Sequence, residues 1–340
     1  MRLLIVTQAV DLDDPVLGFF HRWIEEFATR CERVAVICLK EGRHTLPKNV
    51  SVYSLGKEKG SSRMKYLTRF YRYIWRFRGE YDFVFVHMNP EYLALGGMLW
   101  RLTGKRVALW YVHRSVTWYL RAAVRLASVV FTATKESMLV STKKLRVVGH
   151  GIDMELFSPV AHRREGTYIV SVGRLSPVKH CEVLIETVAL LRKKNIALDV
   201  TFVGPADDHA YAEKLKVRIR VLGLGDSIRF QGPVPYLSLP AIYRSASATV
   251  NLAATGGSDK VVLESLACAV PAFVCNRAFA SLYGEYADTF IFEEHNPIDL
   301  ANKIERFLST DTTAAISAIS GRVREHFDLR VLIRTIMQAL

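Results

Sequence analysis

The chain has 340 residues, half of them apolar, which fits a folded globular protein; it holds no run of 18 apolar residues, so no membrane-spanning helix is expected. Its five cysteines (Cys31, Cys38, Cys181, Cys268, Cys275) form no CxxC pair, which argues against a disulfide framework or a zinc site and for a reducing cytoplasm. The net charge of +13 is uneven: residues 1–160 carry 25 Lys and Arg against 14 Asp and Glu, whereas residues 161–340 carry 21 against 19. The first half is thus the one suited to an anionic partner.

Strands and helices alternate along the first half. LLIVT (3–7) reads as a buried first strand, without a signal-peptide cleavage pattern after it. Gly18 precedes a helical spacing over Phe19 to Phe27. RVAVICL (33–39) and VSVYSL (50–55) read as strands. Arg63 to Arg78 alternates six cations with Tyr66, Phe70, Tyr71, Tyr73, Trp75 and Phe77. YDFVFVHM (81–88), a helix through Trp100, RVALWYVH (106–113), a helix near 117–126, VVFTAT (129–134) and RVVGHGI (146–152) follow. Residues 154–167, with Pro159 and the run HRREG, read as a linker.

The pattern then restarts with YIVSVG (168–173), a helix near 179–194, ALDVTFVG (197–204), a helix near 209–222 and SIRFQG (227–232). A helix near 238–245 and ATVNLA (248–253) lead to a loop and helix at 256–271, then PAFVC (271–275), FIF (290–292) and a helix near 297–308. Such alternation predicts parallel sheets covered on both faces. The expected organisation is two Rossmann-like domains, 1–158 and 159–320, facing each other across a cleft, with a C-terminal helix in 321–340 packing back toward the first domain. Ligands of open α/β sheets bind beyond the carboxyl ends of strands.

The segment GGSDKVVLESLACAVP (256–271) carries the strongest chemical signal. Gly257, Ser258, Asp259 and Lys260 lead into a helix, whose N-terminal N–H groups and dipole favour an anion. Glu264, on the second turn, can accept hydrogen bonds from sugar hydroxyls. The same features would also serve a plain surface loop before a half-buried helix. Arg174 and Lys179 follow the strand 168–173 and can clamp phosphate oxygens. Helix starts disfavour cations, so two placed there call for an anion. His113 closes a strand in the first half, and His87 and Asn89 close a neighbouring one. Asp11, Asp13 and Asp14 offer too few oxygen ligands for a hard cation, and no metal site is assigned. Neither GxxxxGK[ST] nor GxGxxG occurs.

GRLSPVKH (173–180), FVGP (202–205), FQGPVP (230–235) and the 256–271 segment, in that order and spacing, resemble the C-terminal half of retaining, nucleotide-sugar glycosyltransferases of the GT-B fold, family 4, also called group 1. LGFFHRW, VFVHMNPEY and LWYVHRSV resemble that group's acceptor domain, and GHGID with Phe157 and Pro159 its interdomain crossing. The resemblance implies that Arg174 and Lys179 hold the donor diphosphate and that Glu264 binds the ribose. It also implies that the backbone from Val262 cradles phosphate, that His113 contacts the transferred sugar, and that Gly18 lies in the loop meeting donor or acceptor. The sequence departs from the pattern at Gly256, where the family has a glutamate; Asp259 could supply that carboxylate from a different place. Ala269 stands where glycine usually ends the helix.

The function expected from this resemblance is retaining, metal-independent transfer of a sugar from a nucleotide-diphosphate sugar to a lipid-linked or glycan acceptor, with no cofactor beyond the donor. The alternative is a non-catalytic nucleotide-sugar or anion-binding protein, or another GT-B enzyme of the epimerase or phosphorylase type. The basic first half and the aromatic-cationic stretch 63–78 point to an anionic membrane surface, with the chain cytoplasmic and peripheral on the inner face. No nucleic-acid recognition motif accompanies the charge. On a helix, Leu67, Phe70, Tyr71, Ile74 and Trp75 would equally form a stripe packed on the sheet.

Overall fold

Successive residues of the first strand serve two different cores. In the computed structural model, which describes residues 1–160, 167–254, 257 and 259–340, β1 spans Arg2–Val10. Leu3 and Ile5 enter one apolar cluster, while Leu4 and Val6 enter another, and all four are fully buried. Side chains alternate across a strand, so a strand covered on both faces must be apolar at every position. β2 (Arg33–Glu41), β3 (Val50–Ser54), β4 (Phe83–His87), β5 (Arg106–Trp110), β6 (Val129–Thr132) and β7 (Leu145–Val147) join β1 in a parallel sheet of order β3-β2-β1-β4-β5-β6-β7. Leu3 lies opposite both Val34 and Phe83.

α1 (Phe19–Ala28) covers one face of this sheet through Phe20, Trp23, Ile24 and Phe27, together with the C-terminal helix Leu329–Ala339 through Leu332, Ile333 and Ile336. α2 (Arg63–Arg76), α3 (Pro90–Leu102) and α4 (Trp118–Leu126) cover the other face through Phe70, Ile74, Leu93, Trp100, Leu120 and Ala123. Ser62 caps α2 and Thr117 caps α4, each hydroxyl accepting a first-turn backbone N–H.

The second unit carries β8 (Tyr168–Val172), β9 (Asp199–Val203), β10 (Ile228–Gly232), β11 (Ala248–Asn251) and β12 (Ala272–Val274), all parallel, in the order β10-β9-β8-β11-β12. Its helices include α5 (Cys181–Lys193), α6 (His209–Val221), α7 (Leu239–Ser245), α8 (Lys260–Ala267), α9 (Ala280–Tyr283), α10 (Ala287–Phe290), α11 (Pro297–Ser309) and α12 (Thr313–His326). Contacts divide the chain into one unit of Met1–Gly151, Pro235–Leu237 and Leu329–Leu340 and another of Ile152–Val234 and Ser238–Asp328. Residues 152–158 therefore group with the second sheet.

Two local expectations are corrected. FIF (290–292) is not a strand: Phe290 ends α10, and Ile291 makes a single bridge to Val274. Phe290 is fully buried against Phe273, and three apolar residues are too few to separate strand from plug by periodicity. Residues 321–340 are not one helix. The Phe327 carbonyl accepts the Ile152 N–H at 2.8 Å and Asp328 bridges Ile152, so the helix is interrupted between His326 and Leu329.

Candidate functional site

The predicted cations of the second unit gather where β8 ends. Leu175 N–H bonds the Pro205 carbonyl at 2.8 Å, tying the loop after β8 to the loop after β9. A side chain on Gly204 would strike the Gly173 carbonyl, so a glycine there lets the two strand ends close up. Arg174 emerges from this turn, half exposed, with its Nη1 2.8 Å from Asp207 Oδ2. Lys179 lies in a 3-10 turn, Pro177–Lys179, just before α5. Its Nζ is 2.9 Å from Asp259 Oδ2, and Asn251 Nδ2 donates to the same oxygen at 2.9 Å. Asn251 is the last residue of β11 and is buried; its own Oδ1 accepts the Ala253 N–H at 3.3 Å.

Asp259 is the N-cap residue of α8, yet its side chain makes no cap bond. It turns instead to the lysine and the asparagine, so both predicted cations hold a carboxylate oxygen. Arg174, Lys179 and Asn251 line one shallow pocket with Gly173 and Phe202. A larger cavity of about 530 Å³, lined by Arg244, Cys268, Ile316, Ser320 and Arg324 among others, shares none of these residues.

Glu264 lies deeper on α8 and is almost fully buried. Tyr243 Oη donates to its Oε2 at 3.1 Å, and Lys260 Nζ lies 3.5 Å from its Oε1. Burial raises the Tyr243 phenol well above its ordinary range, with the Glu264 carboxylate adding to the shift. Burial also lowers Lys260 to about 8, outweighing the opposing pull of Glu264. The Val262 N–H closes the first helical turn on the Asp259 carbonyl at 3.1 Å, and its side chain is core. Gly257 is described, and the Asn276 amide donates to its carbonyl at 3.4 Å. Ser258 and Gly256 lie outside the described residues.

In the first unit, β5 stops at Trp110, so His113 sits three residues beyond the strand rather than closing it. It is exposed, and its Nδ1 accepts the Ser115 N–H at 3.0 Å. Tyr111 Oη fixes the same turn by donating to the Ser115 carbonyl at 2.8 Å. With Nδ1 an acceptor, the neutral ring carries its proton on Nε2, which makes that nitrogen a donor. His87 is core: it stacks on Phe20 at 3.9 Å and its Nδ1 pairs with Thr7 Oγ1 at 3.2 Å. Asn89 precedes α3, and its amide donates to the His87 carbonyl. Gly18 opens α1, where a Cβ would come within 2.7 Å of the Asp14 carbonyl. The acidic loop is ion-paired, Asp13 with Arg43 at 2.6 Å and Asp11 with Lys40 at 3.2 Å.

Sequence reasoning missed Asn251, Asp207 and Tyr243. Asn251 had a readable signal, being the one amide in the apolar run ATVNLA, at the carboxyl end where ligands bind. Asp207 follows the next strand end in GPADD, but nothing in the spacing pairs it with Arg174.

Known proteins resemble the chain in both sequence and fold. The profile for glycosyl transferases group 1 matches residues 154–322. A D-inositol 3-phosphate glycosyltransferase of Acidothermus cellulolyticus is 26% identical over 203 residues, covering 54% of this chain and 45% of that one. The enzyme of the same description from Frankia alni is 30% identical over 183 residues, 48% of this chain and 44% of that one. The matched part thus spans less than half of these relatives. In fold, the chain is similar to Anabaena HepE in complex with UDP-glucose, with a TM-score of 0.79, 17% identity and 99% of each chain covered. It is also similar to sucrose-phosphate synthase of Thermosynechococcus elongatus, with a TM-score of 0.78, 16% identity and coverage of 99% and 98%. Both sheets therefore have the GT-B glycosyltransferase fold.

Proposed function

The second unit belongs to the glycosyl transferases of group 1, and on that premise we propose that the chain moves a sugar from a nucleotide-diphosphate sugar to a lipid-linked or glycan acceptor with retention at the anomeric carbon. The observation that carries this reading is the pairing of Arg174 and Lys179 with Asp207 and Asp259. Each cation is already set to hold anionic oxygen, and a diphosphate offers the same chemistry with more charge. HepE, similar in fold, was crystallised in complex with UDP-glucose, which makes uridine nucleotides the first donors to test.

The chemistry needs a stabilised leaving group. Arg174, Lys179 and the α8 N-terminus supply fixed positive charge to a departing nucleoside diphosphate, so the reaction runs without a metal ion. A double displacement would need a carboxylate beside the anomeric carbon. Asp259 is engaged with Lys179 and Asn251, and Glu264 with Tyr243 and Lys260. A same-face reaction through an oxocarbenium-like state fits these residues better, with the departing phosphate oxygen taking the acceptor's proton. His113 offers its Nε2–H to the transferred sugar. Glu264 accepts the ribose hydroxyls.

We place the chain at the cytoplasmic face of a membrane, as a peripheral protein. Among the described residues no helix is long and apolar enough to cross one. A donor-hydrolysis assay tests the enzymatic reading: slow release of free sugar and nucleoside diphosphate is expected, and binding without any release would favour a non-catalytic nucleotide-sugar binder.

A further inference from the structure

The three helices on one face of the first sheet carry an outer surface that the core does not use. On α2, Phe70 and Ile74 are buried, but Trp75 and Met64 are 53% and 70% exposed. Beside it, α3 turns Leu95, Met98 and Leu102 outward, at the i, i+3, i+7 spacing of one helical face, with Leu102 78% exposed. Trp118, at the start of α4, is 66% exposed. The helices are neighbours. Tyr71 Oη on α2 donates to the Leu95 carbonyl at 3.1 Å, and Phe70 packs on Tyr92 at 5.1 Å. A Cβ on Gly97 of α3 would lie 3.0 Å from the Leu126 side chain of α4. The three helices thus pack side by side over one core cluster, and these exposed side chains lie outside it.

The charge on that surface has one sign. α2 and α4 contain no acidic residue, and α3 contains only Glu91, in its first turn. Arg63, Lys65, Arg72 and Arg76 on α2, Arg101 on α3, and Arg121 and Arg125 on α4 are all exposed. None of the seven has an ion-pair partner among the described residues. Arg69, by contrast, turns inward, its Nη1 bonding the Leu55 carbonyl at 2.7 Å. A water-facing helix has no use for a row of Leu, Met and Trp side chains, and a protein core has no use for unpaired cations.

We propose that the outer face of α2, α3 and α4 is a docking surface for an anionic phospholipid bilayer, with Leu95, Met98, Leu102, Trp75 and Trp118 entering the interface and the seven cations meeting lipid phosphates. Apolar side chains at the level of the acyl boundary, tryptophans at the headgroups and cations near the phosphates are the arrangement such an interface selects. The proposal deepens the membrane-proximal acceptor reading and rests on it for its purpose. It moves the centre of contact from α2 alone to all three helices.

The test is co-sedimentation of the whole chain with phosphatidylcholine vesicles, with and without phosphatidylglycerol, at low and high salt, with UDP affinity measured on each variant. Wild type binds only the anionic vesicles and is released by salt. Arg101→Glu with Arg121→Glu weakens binding about tenfold or more. Met98→Ser with Leu102→Ser leaves salt-sensitive binding but abolishes quenching of tryptophan fluorescence by brominated lipid. Lys193→Glu with Lys214→Glu, on the second unit, changes nothing. Vesicle binding unaffected by Arg101→Glu with Arg121→Glu overturns the proposal, as does equal binding to neutral vesicles or concentration-dependent self-association that buries this face. Lost vesicle binding with UDP affinity intact touches only the surface. Lost UDP affinity in wild type touches only the transferase reading.

Discussion

The Lys179 ammonium lies 2.9 Å from the Asp259 carboxylate, and the two come from chain segments 80 residues apart. The pair joins the turn before α5 to the start of α8, and Asn251 holds the same carboxylate oxygen from the end of β11. A nucleoside diphosphate arriving at Lys179 must therefore compete with a carboxylate. Asp259→Asn removes that charge while keeping a polar group of the same size. It is expected to tighten binding of free UDP severalfold, since a like charge within several ångströms of the phosphates opposes them. Calorimetric titration checks this. Weaker binding would mean that Asp259 orients the lysine more than it competes.

Lys260 provides a pH-dependent signature. Its folded-state pKa, about 8, lies below the ordinary lysine value of 10.5, so the unfolded chain holds more protons between those limits. Stability contributed by this group therefore rises as pH climbs through that window and is lowest below it. Lys260→Met removes the titration. The stability difference between wild type and Lys260→Met should shift in favour of wild type between about pH 8 and 10.5, by up to about 3 kcal/mol. Denaturant melts at several pH values read it; a pH-independent difference would show that Lys260 is not desolvated.

Ala269 adopts φ +57° just after α8, in the left-handed region where glycine is the usual residue. The Val270 N–H then reaches back to the Ser265 carbonyl at 3.0 Å, which closes the helix end. Ala269→Gly relieves the strain of placing a Cβ there and is expected to stabilise the second unit by about 1 kcal/mol. A thermal melt with unchanged or lower midpoint would contradict this.

The central strands are legible in the sequence because burial on both faces leaves an unbroken apolar run, as in β1 and β4. Leu3 to Val6 read as a strand for the same reason that they fill two cores. Arg174 and Lys179 are legible because cations at a strand-to-helix turn are electrostatically out of place without an anion. Their carboxylate partners are not. Asp207 and Asp259 lie 33 and 80 positions away, and no local spacing encodes such pairings. The aromatic content of α2 suits both core and surface, and which residue takes which role depends on the neighbouring α3. The exposed row Leu95, Met98, Leu102 looks in sequence like an ordinary buried helix, since apolar spacing alone does not say which side faces the sheet.

Turnover is expected to persist in EDTA. The positive charge that stabilises the leaving group is proposed to come from Arg174, Lys179 and the α8 N-terminus, while Asp11 and Asp13 are occupied by Lys40 and Arg43. Loss of activity on chelation, restored by a divalent cation, would require a different source of leaving-group stabilisation.

The most direct measurement is calorimetric titration of UDP, GDP and ADP into wild type, Arg174→Ala and Lys179→Ala. One nucleoside diphosphate is expected to bind wild type clearly. Each substitution should weaken it by about 1.5–3 kcal/mol, the usual cost of a lost charge-assisted contact, with melting curves otherwise unchanged. Equal affinity in all three proteins would contradict the proposed diphosphate site.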